Sequence, residues 1–323
     1  PARNAAEASV VQGITVYPVP DVAALVSHLR GEKPITAAKF DESSFDPGAA
    51  CSQLDFADVK GQEFAKRALL IAAAGGHNVL MIGPPGTGKS MLAKRIPSIL
   101  PDFTLEEAIE TTKIHSVAGL LPENVALITH RPFRSPHHTM SPVSLAGGGS
   151  VPLPGEVSLA HNGVLFLDEL PEYIKTVAEV LRQPLEDRHI TITRASGRYT
   201  FPCNFMLVCA MNPCRCGYFG HPSKNCTCKP ADIRAYLSKV SGPLLDRIDI
   251  QIEVSPLSFD ELSKLAPSRS SADMRTDVNK ARAFALKRFL RDGKKLRCNA
   301  ELSPADLRKY STLDDEATAI MRA

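Results

Sequence analysis

Apolar positions along this chain fall into two spacings, and the way these alternate predicts an α/β protein. Residues 79–82 (VLMI), 164–167 (VLFL) and 205–210 (FMLVCA) are nearly unbroken apolar runs. Such runs suit strands of a parallel sheet covered on both faces. Between and after them the spacing turns helical. Residues 62–74 form one such stretch, closed by Gly75 and Gly76, and 91–99 form a second. In 277–291, Val278, Ala281, Ala285 and Phe289 share a stripe opposite basic residues. Strands alternating with helices imply a parallel sheet flanked by helices.

The ends and the middle add smaller pieces. Residues 13–19 (GITVYPV) read as a strand, and 21–30 as a helix behind an Asp21 cap. Pro34, Ser43, Ser44, Pro47 and Gly48 among charges mark a linker. In 188–201, Ile190 and Ile192 alternate with Thr191 and Thr193, a turn falls at 195–197, and Tyr199 and Phe201 lead back. That is a β-hairpin with Arg194 and Arg198 at its tip. Residues 303–310 and 314–323 read as two further helices.

Chemistry enters at the carboxyl end of the first run. The loop after it, GPPGTGKS, fits G-x-x-x-x-G-K-[ST], and it lies between a strand and a helix, the context that gives the pattern meaning. Gly83, Pro84, Pro85, Gly86, Thr87, Gly88, Lys89, Ser90 and Met91 form the expected nucleotide-binding stretch. Gly86 and Gly88 let successive N–H groups face one oxyanion, at the positive end of the following helix. Lys89 is placed for the β- and γ-phosphates and Ser90 for Mg²⁺. The second run ends in Asp168 and Glu169, where ligands bind in open α/β sheets. Asp168 suits the Mg²⁺ shell and Glu169 the attacking water. The third run ends at Asn212, either a hydrogen-bonding partner for the water or γ-phosphate or simply the start of an Asn-Pro turn. In PLLDRID (243–249), Arg247 is either a surface ion pair or a group reaching a neighbouring subunit's nucleotide.

Composition narrows the setting. A chain of 323 residues, 44% hydrophobic and 23% charged, suits an ordinary globular protein of about two domains. The formal net charge of +3 leaves any nucleic-acid surface to local patches. No apolar run approaches a membrane span and no export leader is readable, so a cytoplasmic protein without membrane contact is expected. The chain starts without Met and in mid-pattern, which reads as a fragment.

The eight cysteines divide unevenly. Cys214, Cys216, Cys226 and Cys228 form C-x-C-x9-C-x-C, whereas Cys51, Cys203, Cys209 and Cys298 are scattered. Four clustered thiolates suit Zn²⁺ as a structural metal, with His221 as a substitute ligand. The usual knuckle spacing is C-x2-C, so free thiols and redox chemistry stay open.

The order GPPGTGKS, VLFLDEL, AMNP, LLDRID is similar to the AAA+ ATPases. HRPFRSPHHT (130–139), PGEVSLAHNGVLFLDELPE (154–172), LRQPLEDRHITITRASG (181–197) and AMNPCRCG (210–217) resemble the ComM/YifB family, in the branch with magnesium chelatase subunits and MCM helicases. The resemblance implies four parts: residues 1–38 as the end of a Lon-protease-like domain, 39–54 as linker, 55–254 as a P-loop AAA+ core, and 255–323 as a partial α-helical lid. It implies a hexameric ring that hydrolyses ATP to drive DNA branch migration during natural transformation, with a chelatase-like remodelling motor as the alternative. The family's lid also supplies a phosphate-sensing Arg absent from this chain, so slow hydrolysis or none by these residues alone is expected. In related motors the insertion before the acidic motif lines the pore. Arg131 and Arg134, in a segment too proline-broken for a long helix and too basic for a core strand, and Arg194 and Arg198 on the hairpin are the expected DNA contacts.

Overall fold

The structure, a computed structural model, describes residues 1–323 except 12, 41–44, 46–53, 123–124, 195–196, 258–267 and 323. Cys51, most of the expected linker and the turn of the hairpin lie outside the described residues.

Among the described residues, five parallel strands form the central sheet. In chain order they are β1 (Val79–Ile82), β2 (Phe133–Arg134), β5 (Val164–Leu167), β8 (Met206–Met211) and β9 (Ile250–Glu253), and they lie side by side as β2-β5-β8-β1-β9. The register pairs Val79 with both Val208 and Ile250, and Val164 with Met206. The short β3 (Gly147–Gly148) and β4 (Leu153–Pro154) pair with each other, and β6 (His189–Arg194) pairs with β7 (Gly197–Pro202) as the expected hairpin.

Two cores explain the unbroken apolar runs. Successive side chains of a strand point to opposite faces. Val79, Met81, Val164, Phe166, Val208 and Ala210 enter one core, with Leu69, Leu92, Ile96 and Val278 from the covering helices. Leu80, Leu165, Leu167, Leu207, Cys209 and Met211 enter the other, with Leu145, Val157, Val177 and Ile190. Neither face of the sheet meets water, so neither set of positions is polar.

The helices follow the sequence reading with local changes. The Glu63–Gly75 helix ends on Gly76 in the left-handed region. The next helix covers Lys89–Arg95 and continues as a 3-10 turn over Ile96–Ile99, because Pro97 has no N–H to extend an α-helix. The Ser271–Arg291 helix buries Met274 and Val278 in the first core, and Ser271 Oγ accepts from the Phe56 N–H. Shorter helices follow at Pro304–Tyr310 and Asp315–Arg322. Among the described residues no helix is long and apolar enough to cross a membrane.

One expectation is corrected. The strand expected at 13–19 reduces, in its described residues, to one bridge between Val16 and Ala38. The segment read as too basic for a core strand supplies the edge strand β2, which pairs Phe133 with Val164. An edge strand needs hydrogen bonds on one side only, which a proline-flanked pair of residues can provide.

Candidate active site

The carboxyl ends of β1, β5 and β8 converge on one cavity of about 360 Å³, lined by residues 85–91 together with Asp168, Glu169, Met211 and Asn212. That size lies within the range of ordinary ligand pockets. Gly86 at φ 81 and Gly88 at φ 88 occupy the left-handed region, where a side chain would strain the backbone. The helix starting at Lys89 opens onto the loop. Lys89 is buried, and its Nζ donates to Gly83 O at 2.6 Å, Pro84 O at 2.9 Å and Asn212 Oδ1 at 3.2 Å. Burial holds its pKa below the ordinary lysine value, against the opposing pull of Asp168.

Ser90 Oγ donates to Asp168 Oδ2 at 2.6 Å. The hydroxyl and the carboxylate are hard oxygen donors, the set that suits Mg²⁺. Glu169 lies in the left-handed region at φ 53 and ψ 47, uncommon for a residue with a side chain, and its N–H donates to Asp168 Oδ1 at 3.0 Å. Its carboxylate is 3.3 Å from His138 Nδ1. Tyr173 sets its ring edge-on to His138 and donates its hydroxyl to Pro136 O at 2.7 Å. His138 and Tyr173 have no signature in local spacing and were not expected at this site. The structure thus brings Lys89, Ser90, Asp168, Glu169 and Asn212 together. Arg247 lies apart: it pairs with Glu186, and its Nη1 donates to Pro243 O at 2.6 Å.

Residues 55–262 match the family described as magnesium chelatase, subunit ChlI. The chain is 42% identical over 319 residues to the competence protein ComM of Haemophilus influenzae, covering 97% of this chain and 60% of that protein. It is 46% identical over 266 residues to YifB of Escherichia coli, covering 82% and 51% respectively. This chain belongs to the ComM/YifB group of the magnesium chelatase ChlI family. A more distant likeness, 27% over 164 residues, joins it to the magnesium-chelatase 67 kDa subunit of Chlorobaculum parvum, covering 49% of this chain and 23% of that one. The chain therefore spans about 60% of the length of the ComM relative. The fold is the α/β sheet of an AAA+ magnesium-chelatase domain, and the family implies ATP and Mg²⁺.

Within this ComM/YifB chain the basic segment 130–138 departs from expectation. The Arg131 side chain is only 12% exposed, with Nε donating to Pro101 O at 2.7 Å, Nη1 to Asn162 O at 2.8 Å and Nη2 to Glu107 Oε2 at 2.9 Å. Arg134 forms a fork with Glu156, at 2.6 Å from Nε and 2.7 Å from Nη2. Both arginines face partners inside the subunit, which corrects the reading of them as groups presented to DNA phosphates. Arg194 and Arg198 are exposed on the hairpin, next to its turn.

The four clustered cysteines also come together. Cys214, Cys216, Cys226 and Cys228 place their sulfurs within 4.8 Å of one another, and three of the distances are 3.4, 3.7 and 3.6 Å. Tetrahedral Zn–S bonds of about 2.3 Å require sulfurs roughly 3.8 Å apart. Backbone N–H groups of Tyr218 and Thr227 hold the Cys216 thiol down to about 5. His221 is not part of the group, since its Nδ1 accepts from Ser223 N–H and Lys224 N–H at 3.1 Å each. Cys203 and Cys209 are separate, buried thiols pushed up by desolvation.

Proposed function

We propose that this chain carries the ATPase core of a hexameric DNA motor that promotes branch migration during natural transformation, working in the cytoplasm. The observation behind the hydrolytic half is the Ser90–Asp168 contact beside Lys89, Glu169 and Asn212 in a single cavity. Bound Mg²⁺·ATP supplies the labile γ-phosphoryl group and a cation that neutralises charge developing on it. The chain's own groups do the rest. Lys89 would turn its ammonium from the loop carbonyls to the phosphate oxygens, and Ser90 and Asp168 would hold the cation. Glu169 orients a water and takes its proton, while the Asn212 carboxamide hydrogen-bonds in-line oxygens without adding charge. Arg247, remote from its own subunit's pocket, acts on the neighbour's nucleotide across a ring interface.

The DNA half rests on kinship with a protein named for competence and on the exposed Arg194 and Arg198. The cysteine cluster is assigned a structural Zn²⁺. The likeness to a magnesium-chelatase subunit supports a second reading, a remodelling motor that does not act on DNA. Measuring ATP turnover with and without branched DNA separates the two. Stimulation that disappears in the Arg194→Ala/Arg198→Ala variant supports the DNA motor; turnover indifferent to DNA favours the remodelling motor.

A further inference from the structure

The cysteine cluster is joined to the nucleotide pocket at three points. Asn212 lies two residues before Cys214 and accepts from Lys89 Nζ at 3.2 Å. Gly217, inside the cluster's loop, packs on the phosphate loop so closely that a Cβ there would fall 2.6 Å from Pro85 Cδ and 2.8 Å from Pro85 Cγ. Beyond Cys228 the chain enters the Pro230–Leu237 helix, whose Tyr236 hydroxyl faces the Asn212 backbone N–H.

Between Asn212 and Lys229 the chain forms neither helix nor strand. Its internal hydrogen bonds are local, such as Gly217 N–H to Cys214 O at 3.0 Å and His221 N–H to Tyr218 O at 3.1 Å. Bonds of this reach do not fix a loop of this length against the conformational entropy lost in ordering each residue. The sulfur cluster is the long-range closure, linking Cys214 and Cys216 to Cys226 and Cys228.

We propose that a zinc ion held by Cys214, Cys216, Cys226 and Cys228 braces the nucleotide pocket, by fixing Gly217 against Pro85 and thereby the phosphate loop and Asn212. The inference rests on the cavity being an ATP site. The four sulfurs act as positioning groups and touch no substrate. Since zinc and nucleotide then stabilise the same loop arrangement, their binding is linked, and each raises the affinity for the other by the same factor. The typical range for such linkage is about 5- to 150-fold.

The test uses the full chain purified without chelator. Elemental analysis is expected to give one zinc per chain. Removing the metal is expected to speed hydrogen exchange in the peptide covering residues 83–90 with no nucleotide present, and to weaken binding of a fluorescent adenine nucleotide with Mg²⁺ about tenfold. Added Zn²⁺ restores both. In the reverse direction, the same nucleotide is expected to tighten zinc about tenfold in a chelator competition. A second variant guards against general unfolding: Gly217→Ala keeps all four cysteines, so it is expected to retain zinc yet loosen residues 83–90 while exchange at 164–167 is unchanged. Zinc well below half an equivalent overturns the proposal, as does full zinc with identical exchange at 83–90 in the loaded, stripped and Gly217→Ala proteins. If the loaded chain binds no nucleotide, the ATP reading falls, and the exchange data still decide whether the cluster braces the loop.

Discussion

Ser90 Oγ and Asp168 Oδ2 stand 2.6 Å apart, although 78 residues separate them in the chain. Ser90 lies in the first turn of the helix after β1 and Asp168 directly follows β5, so the distance is fixed by the parallel sheet and not by a flexible loop. A hydroxyl and a carboxylate held this way are prepared to share one hard cation. Ser90→Ala and Asp168→Asn are expected to leave folding intact and to weaken magnesium-dependent nucleotide binding by at least the 10- to 100-fold that supporting groups of metal sites contribute. Titrating nucleotide at several Mg²⁺ concentrations measures it. Equal affinity in the variants and the parent would remove the cation from this position.

Glu169 separates binding from hydrolysis. Its carboxylate faces His138, at 3.3 Å from Nδ1. Glu169→Gln is expected to bind nucleotide within a few-fold of the parent and to hydrolyse it about 10²- to 10⁴-fold more slowly, the usual contribution of a positioned base. Single-turnover assays on pre-bound nucleotide check this. A Glu169→Gln protein that retains normal turnover would assign the base elsewhere.

What could be read from the sequence was what local spacing encodes. The phosphate loop needs glycines, a lysine and a hydroxyl at fixed offsets, and the buried strands need apolar residues on both faces, so both were readable. Arg131 and Arg134 were misread because a guanidinium's fate depends on partners distant in sequence. Glu107 and the carbonyls of Pro101 and Asn162 surround the first, and Glu156 takes the second. The contact of His138 with Glu169 and that of Gly217 with Pro85 were invisible for the same reason: each exists only once β1, β5 and β8 lie side by side.

Arg131 is expected to matter for stability. Glu107 Oε2, its partner, also accepts the Thr104 N–H as part of the capping box that starts the Leu105–Val117 helix. Arg131→Ala leaves a largely buried carboxylate without its cation and the contacts to the Pro101, Asp102 and Asn162 carbonyls unmade, a loss of about 3–5 kcal/mol for pairs of this kind. Urea unfolding of the variant is expected to show a loss of this size. A midpoint unchanged within error would mean that the pair is dispensable.

His161 makes stability depend on pH. Its Nδ1 accepts the Asn204 N–H at 3.0 Å and its Nε2 lies 3.3 Å from Glu110 Oε2, so the neutral ring carries its proton on Nε2. Burial lowers its pKa beneath the ordinary 6.5, outweighing the attraction of Glu110. His115 is lowered in the same sense, again by burial. Unfolding lets both rings take up protons more readily, so the unfolded state binds more protons and stability rises with pH. The contribution is whole above 6.5 and is lost as pH falls below that value through the lower folded one. Between the two values each ring contributes a slope of about 1.4 kcal/mol per pH unit. Denaturation curves at pH 7.5 and 5.0 are expected to show the loss, and His161→Asn to reduce the slope. A stability independent of pH over this interval contradicts the assignment.

The hairpin carries the last expectation. In β6 and β7 Thr193 pairs with Arg198 and Arg194 with Gly197, which places both guanidiniums next to the turn and on exposed backbone. Among the described residues, the hydrogen bond Arg194 makes is local, from Nη1 to the neighbouring Thr193 O at 3.1 Å. A charge so weakly held costs little to transfer to a phosphate, unlike Arg131 or Arg134. If each subunit of a ring offers such contacts to DNA, the logarithm of the binding constant falls with the logarithm of salt by about 0.9 for every phosphate neutralised. Arg194→Ala/Arg198→Ala is expected to flatten that slope and weaken binding to all sequences alike, as loss of backbone contacts does. Fluorescence anisotropy with branched DNA at 50–200 mM salt, a range in which about 10³- to 10⁵-fold changes arise when 6–10 phosphates are contacted, supplies the measurement. A double variant with the parent's slope would place the DNA surface away from this hairpin and leave the remodelling motor as the better reading.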